Sequence, residues 1–118
     1  MVRRVIVGTV MVVFLLVSCA SAADVAAGQR IAHQKCAGCH GEGGAGNGVM
    51  LQTLNLATPL VAWTDKTAMA AYTDADLTKI ISGGGAAVGK LPLMPAFKGQ
   101  LSDAQIADVV AYIRSLVQ

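Results

Sequence analysis

The sequence predicts a small all-α domain with long loops, and three observations support this class. A run of helix-forming residues from Val25 to Lys35 follows Asp24, and aspartate is favoured just before the first turn of a helix. The segment 102–105, Ser-Asp-Ala-Gln, has the pattern of a capping box and precedes an apolar stripe at helical spacing. The stripe consists of Ile106, Val109, Val110, Ile113 and Leu116. No segment of the sequence shows the period-two alternation of a β-strand.

A further helix is predicted between these two. The segment 73–76, Thr-Asp-Ala-Asp, resembles a capping box and is followed by apolar residues on one helical face. This helix should end at the three glycines 83–85, because glycine terminates helices. The segment 86–99 contains two prolines and has the composition of an irregular loop. Long loops in so small a domain suggest that they bind something.

The first 23 residues differ in character from the rest of the chain. Arg3 and Arg4 precede thirteen uncharged, mainly apolar residues at 5–17, whereas a helix needs about 20 apolar residues to cross a bilayer. Small residues follow this run up to Asp24, which is the pattern of a secretory signal peptide and its cleavage site. We therefore expect residues 1–23 to be cleaved on export to the periplasm, leaving a domain at 24–118.

A second way of processing this leader is possible. Residues 16–19, Leu-Val-Ser-Cys, also resemble a bacterial lipobox, in which Cys19 would become the lipidated first residue. The alanine-rich stretch before Asp24 offers two registers for ordinary signal peptidase, which favours soluble export. Contact with a membrane is expected only if Cys19 is lipidated.

The charge of the exported part argues against nucleic acid as a partner. Seven basic and seven acidic residues lie at or after Asp24, so the domain is close to neutral. It contains no run of lysine or arginine and no basic helix that would track a phosphate backbone.

The motif that carries chemistry is residues 36–40, Cys-Ala-Gly-Cys-His, the attachment pattern of c-type haem. Two thiols one helical turn apart can bond to the two vinyl groups on one edge of a porphyrin. The following histidine then lies where its imidazole reaches the iron. Cys36 and Cys39 are therefore predicted to form thioethers with a single haem c, and His40 is predicted to bind its iron.

Other uses of this motif fit the sequence less well. A redox Cys-x-x-Cys is typical of a βαβ unit, which the sequence does not contain. A zinc site needs a second pair of ligands, but His33 is the only other histidine and no cysteine lies downstream. A disulfide between Cys36 and Cys39 would leave His40 unexplained, together with the glycine-rich segment 41–48, which can pass close to a flat ligand.

Met94 is the best candidate for a second axial ligand. It lies between Pro92 and Pro95, which stiffen the loop, and a predicted helix separates it from His40, so the chain has room to reach the opposite face of the haem. His33 and Met50 lie close to His40 in the chain and should fall on its side of the haem. Met69 has the surroundings of a packing residue. An iron bound by histidine and methionine has no open position for a substrate, which indicates a one-electron carrier rather than an enzyme.

Taken together, CAGCH, the glycine-rich loop, the helix that ends in glycines, LPLMPAF and the capped terminal helix resemble a bacterial monohaem class I c-type cytochrome over residues 24–118. The resemblance implies a cytochrome c-like fold of three to five helices around one covalent haem, in a monomeric or weakly associating protein. It implies that the protein carries electrons between periplasmic or membrane redox partners. In that family the first and last helices cross through a glycine and an aromatic residue, here Gly28 and Tyr112.

The sequence departs from the family at one position near the proposed iron ligand. The family often places a proline soon after the glycine-rich loop, and its carbonyl accepts the N–H of the iron-bound histidine. Here no proline occurs before Pro59, so the acceptor for the His40 N–H is not identified.

Two other functions stay open at this point. The chain could be a haem-containing subunit of a larger oxidoreductase. If Met94 does not bind, a five-coordinate haem could sense a gas or catalyse peroxidase-like chemistry. The identities of the electron donor and acceptor do not follow from the sequence.

Overall fold

A computed structural model describes residues 21–56 and 58–117, and this part of the chain is helical. Three helices have ten or more residues: α1 (Val25–Lys35), α5 (Asp74–Gly83) and α6 (Asp103–Leu116). Three more are single turns: α2 (Ala37–His40), α3 (Met50–Thr53) and α4 (Lys66–Met69). Two 3-10 turns lie at Glu42–Gly44 and Gly85–Val88.

The prediction of an all-α fold is confirmed. Among the described residues the sole β-type pairing is an isolated bridge between Lys98 and Leu101. The single-turn helices bring the number of α-helices in the described ranges to six, above the three to five expected. No helix in the same ranges has the length and hydropathy that crossing a membrane requires. Most of the predicted leader, including Cys19, lies outside the described residues.

The longer helices begin where the sequence predicts. The Asp24 carboxylate accepts the backbone N–H of Ala27 at 3.0 Å, which caps α1. At α5, Thr73 and Asp76 exchange hydrogen bonds, since each side chain accepts the backbone N–H of the other residue. Hydrogen bonds from Thr73 also hold the pKa of the Asp76 carboxyl below its usual value. Ser102 and Gln105 form the corresponding capping box of α6.

Helices α1 and α6 cross in direct backbone contact. A Cβ atom added at Gly28 would overlap the backbone carbonyl of Asp108, so only glycine permits this approach. The Asp24 N–H donates to the carboxylate of Asp108 at 2.7 Å, which ties the start of α1 to the same turn of α6. Tyr112 is buried on α6 one turn after Asp108, and Ile31 packs against the core while remaining partly exposed. The close crossing of the first and last helices that the family resemblance implies is present at Gly28.

Arg114 joins the end of α6 to the segment between α4 and α5. Its Nε donates to the carboxylate of Asp74 at 2.7 Å, and its terminal nitrogens donate to the backbone carbonyls of Met69 and Tyr72. A guanidinium carries five N–H donors in a fixed plane, so one side chain can serve three acceptors at once. These contacts fix α5 against α6, and the core residues of both helices face the same interior.

We expect the Gly28→Ala variant to be destabilised although alanine is the better helix former. The helix propensity gain is about 1 kcal/mol, whereas forcing apart two packed backbones costs about 1–3 kcal/mol or more. Thermal unfolding of the holoprotein should therefore begin at a lower temperature in Gly28→Ala. The exposed neighbour Gln29, changed to alanine, is the control and should stay close to the parent; an unchanged midpoint for Gly28→Ala would contradict the tight crossing.

Candidate functional site

The four residues predicted to hold the haem line a single cavity. Cys36, Cys39, His40 and Met94 all border a space of about 720 Å³, whose lining residues lie between Lys35 and Phe97 in the sequence. Most of its other lining residues are apolar, among them Leu51, Met69, Leu77, Ile80 and Phe97. Cofactor sites in proteins occupy about 300–1,000 Å³, so the space suits a large, flat and mainly apolar group.

One wall of the cavity is the junction of α1 and α2. Cys36 ends α1, donating its backbone N–H to Ala32 at 2.9 Å, and its carbonyl accepts the N–H of His40 at 2.9 Å. This single turn sets the two cysteines one helical turn apart, as the attachment motif requires. Both thiols are half-buried, and neither forms a disulfide within the described part of the chain. Burial raises the pKa of the Cys36 thiol to about 11, although the charge of Lys35 opposes the shift.

The imidazole of His40 is poised to bind a metal. Burial lowers its pKa, so the ring is neutral at pH 7, which is the form that ligates metals. Its Nδ1 is buried and has no hydrogen-bond partner among the described residues. The acceptor that the sequence left unidentified is therefore not supplied by any carbonyl in residues 21–56 and 58–117.

The glycine-rich segment 41–48 folds back over the attachment motif. The N–H of Gly46 donates to the carbonyl of His40 at 2.6 Å, and the N–H of Gly48 donates to the carbonyl of Cys39 at 3.1 Å. A Cβ at Gly48 would overlap the backbone of Gly38 and Cys39. The loop can take this path because its crowded positions carry no side chain.

Trp63 contacts His40, which sequence reasoning did not anticipate. The centroids of the two rings lie 4.9 Å apart with 33° between their planes. The indole is buried and also packs on Gly44, where a Cβ would overlap the ring. The one available sequence signal was that Trp63 is the only tryptophan in the chain.

Met94 lies on the wall formed by the end of α5 and the proline-containing loop. Its carbonyl accepts the N–H of Gly85 at 3.1 Å, and the N–H of Phe97 donates to Ile81 at 3.0 Å. A Cβ at Gly84, which has a φ of 73°, would crowd the carbonyl of Met94. The glycines that terminate α5 therefore also anchor the loop that presents the methionine sulfur.

The other candidate ligands are placed differently. His33 is exposed, with its Nδ1 3.0 Å from a carboxylate oxygen of Glu42, and Met50 is 47% exposed with its sulfur close to Gly38. Neither of them lines the large cavity. Met69 does line it, as a residue of the buried core with 3% exposure.

The residues of this cavity fit a haem. Thiols one turn apart suit its vinyl groups, and a neutral imidazole and a thioether are among the side chains that bind haem iron. Lys35 and Lys90 also line the cavity and add positive charge to its wall. The ammonium group of Lys90 donates a hydrogen bond to the hydroxyl of Tyr72 at 2.8 Å. A porphyrin with apolar faces and two carboxylates matches both kinds of surface.

Comparison with known proteins agrees with this assignment. The family model described as Cytochrome c matches residues 25–117. The chain is 37% identical over 108 residues to cytochrome c6 of Picosynechococcus, a match that covers 86% of this chain and 80% of the relative. It is also 37% identical over 93 residues to the Cbb3-type cytochrome c oxidase subunit FixP of Bradyrhizobium diazoefficiens, which covers 79% of this chain and 28% of FixP.

The fold has a counterpart among solved structures. The structure of cytochrome c6 from the diatom Phaeodactylum tricornutum superimposes with a TM-score of 0.55 and 32% sequence identity. The match covers 78% of this chain and 92% of the diatom chain. This chain therefore belongs to the cytochrome c family, as an electron carrier with one covalently bound c-type haem.

Proposed function

We propose that the chain is an exported one-electron carrier in which Cys36 and Cys39 would attach the haem and His40 and Met94 would bind its iron. The observation that supports this assignment is the single cavity that all four residues line. The haem, when bound, supplies an iron that accepts and releases one electron. The protein supplies attachment, orientation and a mainly apolar lining.

His40 and Met94 would set the preference of the bound haem for one oxidation state. The imidazole of His40 is neutral, so it would bring no charge to the iron. The Met94 thioether is a soft ligand, which would favour ferrous iron relative to a second histidine and so raise the reduction potential. With the iron bound by both side chains, a substrate would have no place to bind on the metal.

The mouth of the cavity supports brief docking with protein redox partners. Leu91, Leu93 and Val61 line the cavity and are 63%, 50% and 45% exposed. Apolar side chains at the rim can pack on a partner without building a permanent interface. Transient redox complexes bury less than about 1,200 Å², so a few exposed apolar side chains at the rim are enough for such an encounter.

Export to the periplasm is the second part of the proposal. The leader pattern at 1–23 supports it, and so does the start of the fold, because α1 begins at Val25 with Asp24 as its cap. Cleavage just before Asp24 would leave the first helix and its cap intact. Lipidation of Cys19 is the alternative processing, and it would hold the same domain at a membrane.

A second candidate function is a subunit of a larger oxidoreductase. The identity of 37% with FixP over 93 residues favours it, although this chain spans only 28% of that relative. Isolation of the untagged protein from its native host distinguishes the two: a free carrier elutes alone, and a subunit elutes with its complex.

The ligand assignment is tested by the Met94→Ala variant. Because the substitution removes the sulfur and leaves Pro92 and Pro95 in place, the ferrous protein should bind carbon monoxide readily, and its reduction potential should fall. The parent should bind carbon monoxide hardly at all and should show a thioether–iron charge-transfer band in its visible spectrum.

Two methionine variants serve as controls for this experiment. Met50→Ala changes an exposed residue, and Met69→Leu keeps the volume of a core residue at a cost below about 1.5 kcal/mol. Both should retain the band and exclude carbon monoxide. Stoichiometric carbon monoxide binding by the parent at neutral pH would show that Met94 is not a firm ligand and would favour a sensor or peroxidase.

Export is tested by deleting residues 1–23. Covalent attachment requires reduced thiols and a ligation system outside the cytoplasm, so the truncated chain should accumulate in the cytoplasm without covalent haem. Covalently bound haem stays with the chain on a denaturing gel, so haem staining of such a gel measures the amount attached. Covalent haem in the truncated chain, without an added lyase, would contradict the proposal, and palmitate labelling that disappears in Cys19→Ala would identify the lipoprotein instead.

A further inference from the structure

The surroundings of His40 differ from those usual for a histidine that binds a metal. Such a histidine almost always donates its second ring N–H to a carboxylate, a carbonyl or water, which fixes the rotation of the ring. The Nδ1 of His40 is buried and has no such partner among the described residues. Within the described residues, packing is what restrains the rotation of this imidazole about its Cβ–Cγ bond.

The large rigid group packed on this imidazole is the indole of Trp63. Its ring centroid lies 4.9 Å from that of the imidazole, with the planes inclined by 33°, and its side chain is 8% exposed. Aromatic pairs at centroid distances of about 4.5–7 Å attract one another beyond the area that they bury, by an energy of the same order as one net hydrogen bond. The contact with Trp63 is thus strong enough to orient the His40 imidazole, as a hydrogen bond at Nδ1 would.

Trp63 is itself held in place relative to His40. Its backbone N–H donates to the carbonyl of Gly44 at 2.8 Å, and its ring covers Gly44, where a Cβ would overlap it. The N–H of Gly46 donates to the carbonyl of His40 at 2.6 Å, and the N–H of Leu60 donates to Gly46 at 3.0 Å. The glycine-rich loop therefore connects the histidine backbone to the segment that carries the indole.

We propose that Trp63 is a positioning residue that sets the rotation of the His40 imidazole by ring packing, in place of a hydrogen bond at Nδ1. The proposal rests on the assignment of His40 as an iron ligand. The glycine-rich loop passes close to the attachment motif, and under this proposal it also brings the Trp63 indole against the His40 imidazole. An N–H without an acceptor also makes the imidazole a weaker donor than a hydrogen-bonded one, which favours the reduced iron.

The test compares ferric holoproteins by proton NMR, because the shifts of the haem methyl groups follow the orientation of the axial ligand planes. Trp63→Leu removes the aromatic contact and should change the spread of the methyl shifts, or split them into two sets. Trp63→Met does the same with an unbranched side chain and serves if the leucine variant does not accumulate. Trp63→Phe keeps a ring against the imidazole and should stay close to the parent pattern.

Ile106→Ala is the control for general loss of packing. Ile106 is 1% exposed in α6 and does not line the cavity, and its truncation should cost stability comparable to that lost in the tryptophan variants without moving the methyl shifts. The proposal is overturned if Trp63→Leu and Trp63→Met keep the parent pattern, or if Ile106→Ala changes it as much as they do. The visible spectrum of His40→Ala is compared with that of the parent first. An unchanged spectrum would refute the assignment of His40 as an iron ligand, whereas a changed spectrum in this variant together with unmoved methyl shifts in the tryptophan variants would refute only the role of Trp63.

Discussion

The structure depends on an apolar cavity of about 720 Å³, and five residues of the buried core line it: Leu51, Trp63, Met69, Leu77 and Phe97. Burial of apolar surface contributes about 25 cal/mol per Å², and the whole stability of a small domain is only about 5–15 kcal/mol. A haem bound here would therefore be a part of the core as well as the redox centre, and the proposed attachment through Cys36 and Cys39 would prevent the domain from losing it.

The helices are arranged so that each wall of the cavity carries one part of the binding site. The contact at Gly28 sets α1 across α6, and the last residues of α1 lead directly into Cys36. At the other wall, the glycines that end α5 anchor the loop that presents Met94. Arg114 links α6 to the start of α5, so the two walls are fixed to a common helix. The contacts that hold the helices together therefore also place Cys36 and Met94 at the cavity.

Local chemistry explains why much of this could be predicted from the sequence. Helix caps at Asp24, Thr73 and Ser102 use partners three residues away, and the attachment motif lies within one helical turn, so both can be identified without a structure. The contact of Trp63 with His40 could not be predicted, because it depends on how the glycine-rich loop folds back. The single-turn helices were missed for a related reason: four residues carry too little periodicity to stand out.

The measurement that tests most directly whether the haem completes the core is thermal unfolding of the haem-free chain. The Cys36→Ala/Cys39→Ala protein, prepared without haem, is compared with the parent holoprotein by far-ultraviolet circular dichroism, which reports the helices. A core completed by haem predicts that the haem-free chain shows reduced helix content and no cooperative transition, while the holoprotein unfolds sharply. A haem-free chain with the helix content of the holoprotein and an equally sharp transition would show that the polypeptide forms its core alone.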